Sequence, residues 1–258
     1  MKINKIAAAF AGVVVLAGAA LTANASHSWS NYHWATKVSP FTIQTIDSTV
    51  ANSNANWPAL LRTAASQWSQ STELDLVVVQ GATDSQTRRK CPMVAGKIRV
   101  CNQSYGNNGW LGLASINISG SHITQGYSKM NDSYSSTWQS DPNEAPHVMC
   151  QEVGHDLGLG HTSEDGSSQQ TCMDYSRDPR STAPNSHDYA QLNTIYNHLD
   201  STNTWAASSA NVTASQREMA GSVPLGVRVS KGHKFEIWAA ADGRGGTWIT
   251  HVRLANAD

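Results

Sequence analysis

Hydrophobic and polar positions along this chain follow two rhythms, one of period two and one close to period four, and the switches between them mark its elements. Phe41 to Asp47 (FTIQTID) alternates apolar and polar residues, as a half-buried strand does. Asn56-Trp57-Pro58 reads as a helix start, because proline is tolerated in a first turn. Leu60, Ala64 and Trp68 then recur at i, i+4 and i+8, with Leu61 and Ala65 beside them, which makes an amphipathic helix. Leu74 to Val79 (LDLVVV) and Lys97 to Cys101 (KIRVC) read as buried strands. Leu111 to Ile118 (LGLASINI) alternates again after the turn at Gly106 to Gly109, and Ile123 to Met130 (ITQGYSKM) follows a break at Gly120-Ser121. One helix is expected to begin near Pro146 and another to run from Asp188 to Leu199, where Tyr189, Leu192, Ile195 and Tyr196 share a face. This order predicts a mixed α/β (α+β) layer around one central sheet.

Both ends differ from this body. Lys2 and Lys5 precede an apolar run from Ile6 to Leu21, and Ala23-Asn24-Ala25 places small residues where a signal peptidase cuts. Residues 1–25 are therefore expected to be a signal peptide and the mature protein to be secreted. The apolar run, about 16 residues, falls short of the ~20 that span a bilayer. No later stretch is long and apolar enough, so stable membrane insertion is not expected. After Asp200, the stretch Thr202 to Gln216 is rich in Ser, Ala, Asn and Thr and reads as a linker. Val227 to Val229, Lys234 to Trp238 and Thr247 to Leu254 read as short strands, the last two separated by the turn Asp242-Gly243-Arg244-Gly245-Gly246. The chain thus divides into a main domain at 26–201 and a small β-rich appendage at 202–258.

Charged residues make up 14% of the chain and the formal net charge is −1, which removes any electrostatic reason to expect nucleic acid or an anionic membrane as partner. The four cysteines, Cys91, Cys101, Cys150 and Cys172, are an even number in a chain expected to be exported, which favours disulfides. Proximity favours Cys91 with Cys101 and Cys150 with Cys172. A zinc site of four thiolates is the competing reading, and the CxxC spacing such sites use is missing.

The chemistry concentrates in His147 to Tyr175 (HVMCQEVGHDLGLGHTSEDGSSQQTCMDY). On a helix, Gln151 and His155 are four apart and face one side, so both can reach one metal ion. Glu152 can reach a water held on that ion, where a general base is needed. Gly158 suits the helix end, since a left-handed residue there lets the chain turn and bring His161 back to the same ion. Glu152, His155, Gly158 and His161 resemble the signature HExxHxxGxxH of the metzincin zinc metallopeptidases, among them matrixins and astacins. Cys172-Met173-Asp174-Tyr175 is similar to their Met-turn. The close match covers about 30 residues, and the order of elements extends it loosely from near Trp34 to Leu199.

The resemblance implies a metzincin-like twisted mixed sheet with an active-site helix and a C-terminal helix. It implies a secreted Zn2+-dependent endopeptidase acting on protein or peptide substrates, with 26–201 as its catalytic domain. Glu152 would be the general base for a metal-bound water, Tyr175 would donate to the oxyanion, and Met173 would lie beneath the metal. A Cys150–Cys172 bridge would tie the metal-bearing helix to that turn. The sequence departs from the family at Gln151, where the family has its first His, and an amide oxygen is a weak zinc ligand beside imidazole. His147 is no replacement, because eight helical residues separate it from His155 by about 12 Å; it is expected at the surface or on the substrate side. The expected metal ligands are therefore Gln151, His155 and His161. Asp188 is expected to serve the start of the last helix, and His122, His233 and His251 read as structural. The alternative from another class is a metal-poor metzincin-fold pseudo-enzyme that acts as a secreted peptide-binding module. A third places the main role in the appendage, binding through Trp238 and Trp248.

Overall fold

The computed structural model describes residues 27–205 and 226–255; the expected signal segment and residues 206–216 of the expected linker lie outside them. The strands are β1 (His33–Trp34), β2 (Phe41–Ser48), β3 (Leu74–Gln80), β4 (Lys97–Gln103), β5 (Trp110–Ser119), β6 (His122–Asn131), β7 (Val227–Lys231), β8 (Phe235–Ala241) and β9 (Thr247–Leu254). The helices are α1 (Trp57–Trp68), α2 (Ser85–Lys90), α3 (Ser135–Ser140), α4 (Glu144–Asp156) and α5 (Ser186–Tyr196). Each strand and helix expected from periodicity is present. The two-residue β1 and the six-residue α2 and α3 were not expected, being too short to carry a period.

All nine strands join one sheet in the order β3-β2-β4-β6-β5-β9-β8-β7, with β1 pairing β6 off this path. The β3, β2, β4, β6 part is parallel, and every pairing from β5 onward is antiparallel. The C-terminal strands, expected as a separate appendage, belong to this same sheet. β9 pairs with β5 along nearly its whole length, from Trp110↔Leu254 to Ile118↔Thr247, so the C-terminal strands continue the main sheet. The physical reason is that one edge of the long strand β5 bonds to β6, and its other edge needs partners for a row of backbone donors and acceptors.

Helix α4 lies against β5, β6 and α1. Trp34, Trp57, Trp68, Ile116, Val148, Val153 and Leu157 form part of the main core, each fully buried. A smaller cluster gathers Trp110, Leu113, Tyr127 and Val252 around Cys91 and Cys101. Both disulfides form as proximity favoured, Cys91–Cys101 and Cys150–Cys172, and no described cysteine is free. Among the described residues, no helix is long and apolar enough to cross a membrane.

Candidate metal centre

Helix α4 is unusual in what it buries. Every residue from His147 to Asp156 is inaccessible, including Gln151, Glu152, His155 and Asp156. A helix end buried this way must have its free carbonyls satisfied from elsewhere. The indole of Trp34 donates to the Asp156 carbonyl at 2.9 Å, and the Tyr196 hydroxyl donates to that of Leu157 at 2.9 Å. Gly158 then takes φ +92°, as the turn requires, and an added Cβ there would run into the Tyr32 carbonyl. Beneath the helix, a Cβ on Gly154 would stand 2.6 Å from Met173 Sδ and 2.7 Å from Trp68 Cζ2. The absence of a side chain at 154 is what lets Met173 seat directly against α4, where the Cys150–Cys172 bridge also holds it.

The turn at Gly158 brings His161 back to His155, with their Nε2 atoms 3.1 Å apart. The third imidazole comes from β9. The ring nitrogens of His155, His161 and His251 all lie within 4.8 Å of one another. The Tyr175 hydroxyl joins them, 3.0 Å from His161 Nε2 and 2.7 Å from His251 Nε2. His155 Nδ1 donates to the Leu159 carbonyl at 2.8 Å, which leaves its Nε2 as the lone-pair nitrogen. Nδ1 of His251 lies 3.0 Å from Glu152 Oε2, a carboxylate–imidazole contact of the kind that orients metal-bound histidines. Glu152 Oε1 is buried and has no hydrogen-bond partner.

Gln151 does not join this trio. Its amide oxygen accepts from Arg253 Nη1 at 2.6 Å and its amide nitrogen donates to the Asp174 carbonyl at 3.0 Å. Arg253 follows His251 on the same face of β9, reaches Glu144 at 2.9 Å, and lies 5.2 Å over the Tyr175 ring. A guanidinium is a strong partner for an amide oxygen that zinc holds weakly. The structure thus brings together the sequence-derived candidates Glu152, His155, His161 and Tyr175, packs Met173 below them, and turns the amide of Gln151 toward Arg253. His147, expected at the surface, is buried and donates from Nε2 to the Asp174 carbonyl at 2.9 Å, because the loop after His161 folds back over the start of α4. His251, read as structural, stands beside His155 and His161, a placement that sequence reasoning did not anticipate. The available signal was a His and an Arg at alternate positions, after Ile249, of a strand whose inward face should be apolar.

Burial sets the protonation states. It pushes His155 down to about 3, with nearby His251 adding to the shift. It holds His161 and His251 well below the usual imidazole range, helped by His155 in the first case and by Arg253 in the second. All three rings are therefore neutral at physiological pH, the state that binds metal. Burial raises Glu152 to about 7, against the opposing fields of His155 and Arg253, and holds Tyr175 well above 10, so its hydroxyl keeps its proton. A cleft of about 210 Å³ opens over His155, His161 and His251, walled by His27 to Ser30. Ser28 bridges to Leu159 in antiparallel fashion, so the N-terminal segment lies along the turn that carries His161. At the other site feature expected from sequence, Asp188 and Asn185 complete a capping box at the start of α5.

Comparison with protein-family models finds no match, and sequence comparison with curated proteins finds none either. Among solved structures, the chain is similar to high choriolytic enzyme 1, a hatching enzyme zinc-protease from Oryzias latipes (medaka fish). The identity is 12% and the TM-score 0.36, with 65% of this chain and 96% of that chain covered. So remote a likeness carries no argument, and the functional reading rests on the residues of the site.

Proposed function

We propose that this protein is an exported zinc-dependent endopeptidase whose metal is held by His155, His161 and His251. The observation that carries the reading is the convergence of three buried, neutral imidazoles beside a carboxylate with a free oxygen and a phenol that keeps its proton. Three nitrogen ligands with one open position are the donor set of catalytic rather than structural zinc sites. The buried Tyr175 hydroxyl stands within hydrogen-bond distance of two of those nitrogens.

Zinc bound there supplies a Lewis acid for the scissile carbonyl and lowers the pKa of water. The chain's own groups do the rest. Glu152, poised near neutrality, takes a proton from the attacking water through its free Oε1 and returns it to the leaving amine. Its other oxygen keeps His251 in orientation. The Tyr175 hydroxyl donates to the oxyanion as the carbonyl becomes tetrahedral. Gln151 and Glu144 fix Arg253, whose guanidinium rests on the Tyr175 ring and holds it in place. The catalytic unit on this reading includes β9 and so extends past residue 201. The signal segment and two disulfides support export into an oxidising compartment.

The test is cleavage of a denatured protein substrate by the purified mature chain, with and without chelator, beside the Glu152→Ala variant. Chelator-sensitive cleavage that Glu152→Ala abolishes, with the circular dichroism unchanged, is the expected result. Cleavage retained by Glu152→Ala removes Glu152 from the mechanism, and stoichiometric zinc with no cleavage of any substrate favours the binding-module reading.

A further inference from the structure

A second imidazole cluster shares no residue with that centre. His33 lies on β1, His122 opens β6 as its register partner, and His198 and Asp200 follow the end of α5. We propose that His33, His198 and Asp200 form a second metal site, structural in role, for a divalent ion of the zinc class, with His122 beside Asp200 at its rim.

The Nε2 atoms of His122, His33 and His198 lie 3.2, 3.7 and 3.7 Å from one oxygen, Asp200 Oδ1. His33 Nε2 and His198 Nε2 are 3.3 Å apart. A tetrahedral zinc with ligand bonds of 2.0–2.1 Å sets its ligand atoms about 3.3 Å from one another. The three edges of the His33, His198 and Asp200 trio lie at or within about 0.4 Å of that value, and His122 approaches Asp200 without joining the trio. Hydrogen bonding alone does not account for them, because a contact of 3.7 Å is too long to be one. His33 meets His122 at 80° and His198 at 78°, with centroids 5.0 and 4.8 Å away.

The outer contacts fix the donors. His33 Nδ1 donates to the Asn31 carbonyl at 2.9 Å, which turns the lone pair of Nε2 toward Asp200. The second oxygen of Asp200 accepts from the Thr36 backbone at 2.9 Å, and the Asp200 amide donates to the Thr36 carbonyl at 2.7 Å. The carboxylate is thus clamped with Oδ1 facing the imidazoles. Two imidazole nitrogens and one carboxylate oxygen suit zinc and its transition-metal neighbours and do not suit magnesium or calcium, which take oxygen. His33 and Asp200 are at most 10% exposed in their side chains, whereas His122 is 35% and His198 47% exposed, which leaves the site a path to solvent.

The ligands come from the beginning and the end of the main body, so an ion there fastens two segments far apart in sequence. Trp34, next to His33, bonds the last turn of α4, and Tyr196, near His198, bonds the residue after it. The clip therefore braces the helix end from which the chain turns toward His161.

The experiment uses the full mature chain, stripped with chelator and titrated with zinc alone. Wild type is expected to bind two equivalents and the His155→Ala/His161→Ala variant one. Adding His198→Ala to that variant is expected to weaken the remaining site at least a hundredfold and to abolish the rise of several degrees in Tm that zinc gives it. Cobalt(II) in the His155→Ala/His161→Ala protein is expected to show the visible absorption of a tetrahedral site. Zinc binding and Tm shift that persist in the triple variant overturn the proposal, as does a double variant that folds and binds no zinc. Should the double variant fail to fold, His198→Ala alone decides. Its half-exposed side chain can be removed without opening the core, and it is expected to bring two equivalents to one with peptidase activity unchanged, whereas two equivalents retained overturn the proposal.

Discussion

The assignment of His251 in place of Gln151 is tested by replacing each in turn. Four-ligand zinc sites bind with about 10–16 kcal/mol, so one ligand is worth about 3 kcal/mol, roughly a hundredfold in affinity. His251→Ala removes one of three imidazoles and is expected to raise the zinc dissociation constant by at least that factor, with activity lost at low zinc. Gln151→Met keeps the length of the side chain and removes its amide. In the structure that amide bonds Arg253 and the Asp174 carbonyl and no imidazole, and Arg253 keeps Glu144 as a partner at 2.9 Å. The expected cost falls on stability, about 1–3 kcal/mol for a buried hydrogen-bonded group left unmatched, or several degrees in Tm. Zinc affinity is expected to stay within about threefold of wild type, a change of under 1 kcal/mol. Zinc titration followed by fluorescence or calorimetry, beside thermal melts of both apo proteins, separates the two effects. If Gln151→Met loses zinc as strongly as His251→Ala does, the reasoning is refuted and the amide oxygen is a ligand.

Two further outcomes follow from the fold. The Cys150–Cys172 bridge closes a 22-residue separation, and Cys150→Ser/Cys172→Ser is expected to lose about 3 kcal/mol by loop entropy, read as a lower denaturant midpoint; an unchanged midpoint counters that account. Lys129, 2% exposed beside the rings of Tyr105 and Tyr127, is pushed by burial down to about 7. Its folded value lies below its unfolded one, so between about 7 and 10.5 the unfolded chain holds the extra proton and stability rises with pH. The expected gain from pH 7 to 9 is about 2 kcal/mol from this residue. Lys129→Met is expected to be more stable than wild type at pH 6 and to flatten that slope in urea melts; an equal slope in both proteins defeats the assignment.

Much of this molecule is local and was legible as such. The strand and helix periods, the cysteine pairs, and the Glu152, His155, Gly158, His161 spacing depend on residues near one another in the chain, so their geometry follows from helix pitch, strand alternation and loop closure. Even Met173 and Tyr175 could be placed by their offset, although their seat on Gly154 is visible only in three dimensions. His251 is different in kind. No local rule connects it to His155, because their meeting depends on β9 taking the open edge of β5, a pairing of strands more than a hundred residues apart. That pairing also delivers Arg253, which claims the Gln151 amide. The same holds for His33, His122 and His198, each drawn to Asp200 only by the packing of β1, β6 and the end of α5. The sequence by itself determined which elements form and that α4 would carry Glu152 and His155 at the spacing of a metal-binding helix. Tertiary structure alone decided which imidazole stands beside His155 and His161, since contacts closed across a sheet leave no period in the chain that makes them.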